Sequence, residues 1–245
     1  MNLLFEGFAW ILDPLHWVGA DGIPARVGEH IAISLLVLVI SIVIAVPLGF
    51  LVGHTGRGRG LAVAASGAAR ALPTLGLLII VALSVGVGLI APVVALCVLA
   101  IPSILAGAYS GFEAVDRRTI DAARAVGMTE LQIGGKVEIP LGLPLLIGGL
   151  RSASLQVLST ATLAAYVGAG GLGSFIFLGQ KTADYPQMLA GSILVIALCL
   201  ISEGIFVVLQ KLTVPRGVLA AQTQIVRVPS SRRRAVVELS TQEGK

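Results

Sequence analysis

Charge is what this sequence has least of. Only 12% of its 245 residues are Asp, Glu, Lys or Arg, about half the share in a typical water-soluble domain. With 56% hydrophobic residues and a mean hydropathy of +0.95, the chain cannot cover a soluble surface, and it reads as one integral membrane domain facing lipid. Cysteine is nearly absent as well: Cys97 and Cys199 each sit inside a long apolar run, without CxxC spacing or a nearby His. That argues against a disulfide or metal role and for ordinary apolar packing. No GxxxxGK[ST] phosphate loop occurs, which excludes ATP binding of that kind. The apolar runs also lack an HExxH motif, paired aspartates or a Ser/His constellation, which argues against an intramembrane enzyme. His16, His30 and His54 are scattered through terminal or loop sequence with no carboxylate or Cys at ligand spacing, and are expected to be incidental. The net charge of +4 implies no nucleic acid, because membrane proteins gather Lys and Arg in their inner loops.

What is present is apolar sequence in lengths that suit a bilayer, where a spanning helix needs about 20 residues. Five such runs are expected: 31–52, one crossing within 61–90, 91–109, 141–165 and 188–209. Pro73 predicts that the second is broken or starts late, with Arg70 at its inner mouth. Residues 1–26 lack the order of a cleaved signal peptide, carry both Trp, and are expected outside or at the interface. Residues 27–212 form the transmembrane domain. Residues 213–245, with Arg232, Arg233 and Arg234 among polar residues, are expected to be a disordered cytoplasmic tail touching anionic lipid. Five crossings put the termini on opposite faces. A cytoplasmic C-terminus leaves only Arg26 and Lys181 outside, so 15 of the 17 Lys and Arg lie in or beside inner loops.

Between the third and fourth crossings, residues 113–139 are too polar to span and carry strong helix signals. Asp116 can cap a first short helix, Gly127 supplies its left-handed stop, and Thr129 with Gln132 forms a capping box for a second. The small side chains beside Asp121, at Ala122, Ala123 and Gly127, let another surface approach the backbone. Pro140 and Pro144 then punctuate entry into the fourth crossing.

The run DAARAVGMTELQIGGKVEIPLGLP resembles the coupling segment of type I ABC importer permeases, which reads roughly Glu-Ala-Ala, three residues, Gly, about nine residues, then Ile and a Leu-Pro or similar pair. The match lies at Ala122, Ala123, Gly127, Ile139 and Pro140, with Asp121 where that family more often has Glu. The stretch Thr160–Phe177, with GAGGLG at Gly168, Gly170, Gly171 and Gly173, is similar to the uptake permeases for glycine betaine, choline and carnitine; methionine-importer permeases share similar glycine motifs. RALPTL at Arg70–Leu75 and SILAGAYSGF after Pro102 look like the same quaternary-amine branch.

The resemblance implies an all-α integral membrane fold of about five transmembrane helices in the type I ABC importer permease arrangement, N-terminus outside and C-terminus cytoplasmic. It implies no catalytic residue and no cofactor on this chain, with ATP and Mg on a separate ABC ATPase dimer. A second permease subunit, identical or paralogous, and an external substrate-binding protein complete the expected assembly. The low aromatic content, 5%, makes a cation–π cage in the permease an unexpected feature and places selectivity in the binding protein. The glycines predict a packed, partly re-entrant element near the outer gate. Glu203, ionisable inside the fifth crossing, is expected either to line the path or to support packing, with Arg151 as a partner. An ion-driven carrier is the alternative mechanism; Glu203 alone among the intramembrane carboxylates suits it, and no internal repeat is evident.

Overall fold

A computed structural model describes residues 3–213, and all regular structure within them is helical. The tail from residue 214 onward lies outside the described residues. The α-helices run in chain order: α1 (Leu3–Leu12), α2 (Ile23–Thr55), α3 (Arg59–Ala71), α4 (Thr74–Val85), α5 (Ile90–Glu113), α6 (Arg117–Ala125), α7 (Glu130–Ile133), α8 (Ile139–Thr160), α9 (Gly173–Thr182) and α10 (Tyr185–Thr213).

Among the described residues four stretches are long and apolar enough to cross a membrane: α2, α5, the continuous run Glu130–Val167 that contains α8, and α10. The 24 residues of α5 reach about 36 Å at ~1.5 Å per residue, past a hydrocarbon core of about 30 Å. The expected second crossing differs from a straight helix. α3 and α4 meet at 91°, and at 13 and 12 residues each falls short of a full span. Pro73 causes the break, since it offers no N–H and pushes Leu72 out of the helical region, to φ −72° and ψ 129°. Arg70 lies in the last turn of α3, just before that corner.

Lipid gives helices no hydrophobic reason to associate, so close packing and hydrogen bonds must hold them together. α5 is the centre of the bundle, packed between α2 and α8. Glycines let the backbones touch: a Cβ on Gly107 would lie 2.6 Å from Cα of Gly149, and one on Gly111 2.6 Å from the carbonyl oxygen of Gly142. On the α2 side a Cβ on Gly53 would lie 2.6 Å from Cβ of Phe112. Val37, Ala45, Ala100, Ile104, Ala153 and Val157 fill the dry seam between these three helices.

The N-terminal stretch, expected outside or at the interface, packs on the bundle. Gly7 is buried against Leu189 of α10, and the Trp10 ring meets Phe175 of α9 edge-on at 5.2 Å. His16 Nδ1 donates to the Trp10 carbonyl at 2.8 Å while its ring stacks on that of Trp10 at 3.7 Å, so this histidine has a structural partner after all.

Candidate functional site

The segment 113–139 folds as its local signals predict. Arg118 N–H donates to the Asp116 carboxylate at 2.9 Å, opening α6, and Gly127 stops it at φ +84°. Thr129 N–H donates to Gln132 Oε1 at 3.0 Å and Gln132 N–H to Thr129 Oγ1 at 3.4 Å, the reciprocal pair that starts α7. A wide π-type turn, Gly134–Glu138, then feeds α8 at Ile139 and Pro140. Ala123 is buried, whereas Asp121, Ala122 and Gly127 are exposed. On this otherwise polar surface Val126 is 78% exposed and Leu131 89% exposed. Ile139 is 43% exposed at the base of α8.

Behind α6 lies a cavity of about 460 Å³, walled by the ends of α2 and α5 and by α6 itself. A chain of charges runs along it. Arg124 donates to both Glu130 oxygens, at 2.7 and 3.0 Å, and to Asp121 at 3.3 Å. The Glu130 carboxylate raises the pKa of Arg124 still further. Beyond Glu130 stands His54, in the last turn of α2, with Nε2 3.6 Å from Glu130 Oε2 and Nδ1 2.8 Å from Glu138 Oε2. His54 was expected in a loop without partners; it sits on a helix between two carboxylates because α2 continues beyond the apolar run to Gly56.

At the opposite end of α8 the chain tightens into a 3-10 stretch, Ala161–Val167, and turns at Gly168. Gly168, Gly170 and Gly171 all hold positive φ, at +79°, +82° and +81°. Gly173 needs its missing side chain for another reason: it is helical, and a Cβ would collide with the Thr162 carbonyl. α9 then folds back on the 3-10 stretch and on α10. The anchor of the glycine element comes from the start of α2. Gly171 N–H donates to Glu29 Oε2 at 2.8 Å, and Arg26 holds the same oxygen at 2.8 Å. His30, fully buried, donates from Nε2 to the Leu158 carbonyl at 2.9 Å, and its Nδ1 has no hydrogen-bond partner. A Cβ on Gly171 would sit 3.3 Å from that Nδ1.

Arg26, Glu29 and His30 were not among the expected site residues. The signal for them was present: a Glu-His pair entering an apolar run is costly unless it has partners. Starting the first crossing at residue 31 placed both just outside it, whereas α2 begins at Ile23.

Between the two ends, Glu203 of α10 pairs with Arg151 of α8. Arg151 Nε donates to one carboxylate oxygen at 2.7 Å and its Nη2 contacts the other. Arg151 had been grouped with the inner-loop cations, yet it lies 12 residues beyond the start of α8, about 18 Å along the helix. The coupling-like segment and the glycine element are separated by the 22 residues of α8, about 33 Å, so they are two sites joined by one helix. Among the described residues no group of three or more His, Cys, Asp or Glu is arranged to hold a metal ion.

Residues 41–214 match the model of a family described in these words: binding-protein-dependent transport system inner membrane component. Over 192 residues the chain is 31% identical to the glycine betaine/carnitine/choline transport system permease protein OpuCB of Bacillus subtilis (strain 168), covering 78% of this chain and 88% of that protein. It is 32% identical over 194 residues to the carnitine transport permease protein OpuCB of Listeria monocytogenes, covering 79% and 89%. Among solved structures, a chain of the MetNI methionine ABC transporter in an inward-facing conformation superposes with a TM-score of 0.70 at 23% identity, over 83% of this chain and 99% of that one.

Proposed function

The chain belongs to the family of binding-protein-dependent transport system inner membrane components, as a multi-pass membrane permease, and on that premise we propose that it carries quaternary-amine osmoprotectants into the cell. Glycine betaine, carnitine, choline and related solutes are the cargo class, which the relatives' transport roles support. The likeness to a methionine transporter, at 23% identity, speaks for the fold and not for the cargo. In this reading the chain performs no chemical step. ATP and Mg act on a separate ABC ATPase dimer, a second permease copy or paralogue completes the path, and an external binding protein delivers the solute. The C-terminal end and the segment 113–139 face the cytoplasm, because that orientation gathers the basic residues inside.

The observation that carries this reading is α6: a short, doubly capped helix with Asp121 and Ala122 exposed and the bare apolar side chain of Val126 at its end. A rigid element of this kind transmits a push, where a flexible loop would absorb it. Ala123 and Gly127 allow its close seating, and Ile139 and Pro140 join it to α8. Gly168, Gly170, Gly171 and Gly173 form the outer gate. Both Glu203 oxygens are engaged by Arg151, which makes that pair a strut between α8 and α10 instead of a solute site. Arg70, at the α3–α4 corner, stands at the inner mouth of the path.

Ala122→Arg tests the docking surface. The variant is expected to reach the membrane in normal amount, to lose the ATPase on purification and to lose glycine betaine uptake; an ATPase retained in active, uptake-competent complex overturns the proposal.

A further inference from the structure

The chain of charges behind α6 has no place in the resemblance that identified the coupling segment, and it reaches a helix that this segment does not otherwise touch through its charges. We infer that His54 is a positioning residue that ties the inner end of α2 to the coupling segment, so that a push on α6 moves α2 as well as α8. The inference rests on the reading of 113–139 as the ATPase contact.

Three observations carry it. Glu138 is 2% exposed, and among the described residues its carboxylate has one side-chain partner, the His54 ring, whose Nδ1 lies 2.8 and 3.1 Å from the two oxygens. A carboxylate this buried requires a cation or a proton, and the second imidazole nitrogen points toward another carboxylate, Glu130, at 3.6 Å. The ring is thus held between two acids, with one nitrogen toward each. Second, the ring is fixed from above: it stacks on Phe50 at 5.3 Å, and Phe50 meets Phe112 of α5 edge-on at 5.0 Å. Gly134 lies beneath that same Phe50, where a Cβ would sit 3.1 Å from Cζ. Third, Glu138 owes its inward aim to the π-type turn Gly134–Glu138, a local widening that recurs at functional positions in helices.

The contacts therefore run without a gap from α6 through Arg124, Glu130 and His54 to α2, with Glu138 fastening the same ring to the base of α8. The remaining charged groups around the cavity are Arg59 paired with Glu113, and Arg117 on α6. Arg59 and Glu113 pair with each other, and among the described residues the side-chain hydrogen bonds to the Glu138 carboxylate come from His54.

The test uses the whole complex of permease, ATPase and binding protein in lipid vesicles, reading glycine betaine transported per ATP hydrolysed. His54→Gln is expected to keep the ATPase bound but to lower that ratio at least about tenfold, while His54→Lys, whose ammonium group can meet both carboxylates, recovers most of it. A His54→Gln complex that remains coupled, or a His54→Lys complex as poorly coupled as His54→Gln, overturns the inference. Should His54→Gln fail to accumulate, Glu130→Gln, at the exposed carboxylate on the other side of the ring, decides in its place: the ratio is expected to fall with the ATPase still bound, and an unchanged ratio overturns the inference. Loss of ATPase binding is the separate readout of Ala122→Arg, so failure of the docking reading and failure of the His54 link give different results.

Discussion

Two neighbouring glycines on α8 give opposite answers to the addition of one methyl group. Gly149 faces α5, where a Cβ would stand 2.7 Å from Cα of Gly107 and 3.1 Å from the Ser103 carbonyl oxygen. Gly148 faces outward, and a Cβ there meets nothing within 4 Å. Ordinary carbon–carbon contacts begin near 3.5 Å, so Gly149→Ala must push the backbones of α5 and α8 apart by about 0.8 Å, and neither can swing aside as a flexible side chain can. Both substitutions gain the same helix propensity, up to about 1 kcal/mol, and that gain cancels when the two variants are compared with each other. What remains is the steric cost, about 1–3 kcal/mol for overpacking a tight interface. At about 2–4 °C per kcal/mol for a chain of this size, a central cost of about 2 kcal/mol places Gly149→Ala about 4–8 °C below Gly148→Ala. Thermal unfolding of the two purified variants in the same detergent measures the gap. Equal melting temperatures, or a lower one for Gly148→Ala, would refute the claim that backbone contact between α5 and α8 holds the bundle.

Two further outcomes follow from the other contacts. Gly171→Val forces a β-branched residue into φ +81° and against His30, so uptake should be abolished while the protein still reaches the membrane; normal uptake would show that the glycine element is not packed. Glu203→Gln strands the Arg151 cation at membrane depth and should lower the yield of folded protein, whereas the double substitution Arg151→Gln with Glu203→Gln should restore it, since removing both partners leaves no unpaired charge; a double variant no better than the single one would deny the strut.

The features of the fold that could be read from the sequence are those whose cause is local. Asp116 and Arg118 lie two residues apart and Thr129 and Gln132 three, so the cap and the capping box are written in neighbouring letters. Gly127 and Pro73 act on their own backbone and immediate neighbours. The Arg151–Glu203 pair spans 52 residues, yet it too was foreseeable, because a lone carboxylate in a bilayer demands a cation. The links that escaped notice have no such signature. His54 reaches Glu138 across 84 positions, His30 reaches Leu158 across 128, and Glu29 reaches Gly171 across 142. No spacing rule joins residues so far apart. Treating the polar residues at the ends of α2 as loop also concealed that a 33-residue helix carries all three to its partners.

Those long-range links share one property: they tie α2 to α8, or to the glycine element beyond it, at both ends. At one end His30 donates to Leu158 near the close of α8, and at the other His54 holds Glu138 at its base. His30 and His54 lie 24 residues apart on α2, and Glu138 and Leu158 lie 20 apart on the facing run; at ~1.5 Å per residue these are about 36 and 30 Å. The two antiparallel runs are thus pinned near their ends at similar separations, with α5 clamped between them by Gly49, Gly53, Gly107 and Gly149. A unit pinned at both ends and dry in the middle has little freedom to shear, so α2, α5 and α8 move together. The right-angled α3–α4 corner and the α1–α9–α10 group attach to its flanks. A push on α6 delivered only through α8 would load one edge of this unit and twist it. Delivered also through His54, it reaches both outer helices at the same level, and the glycine element at the far end, held by Glu29 and His30 from α2 and continuous with α8, receives the motion from both.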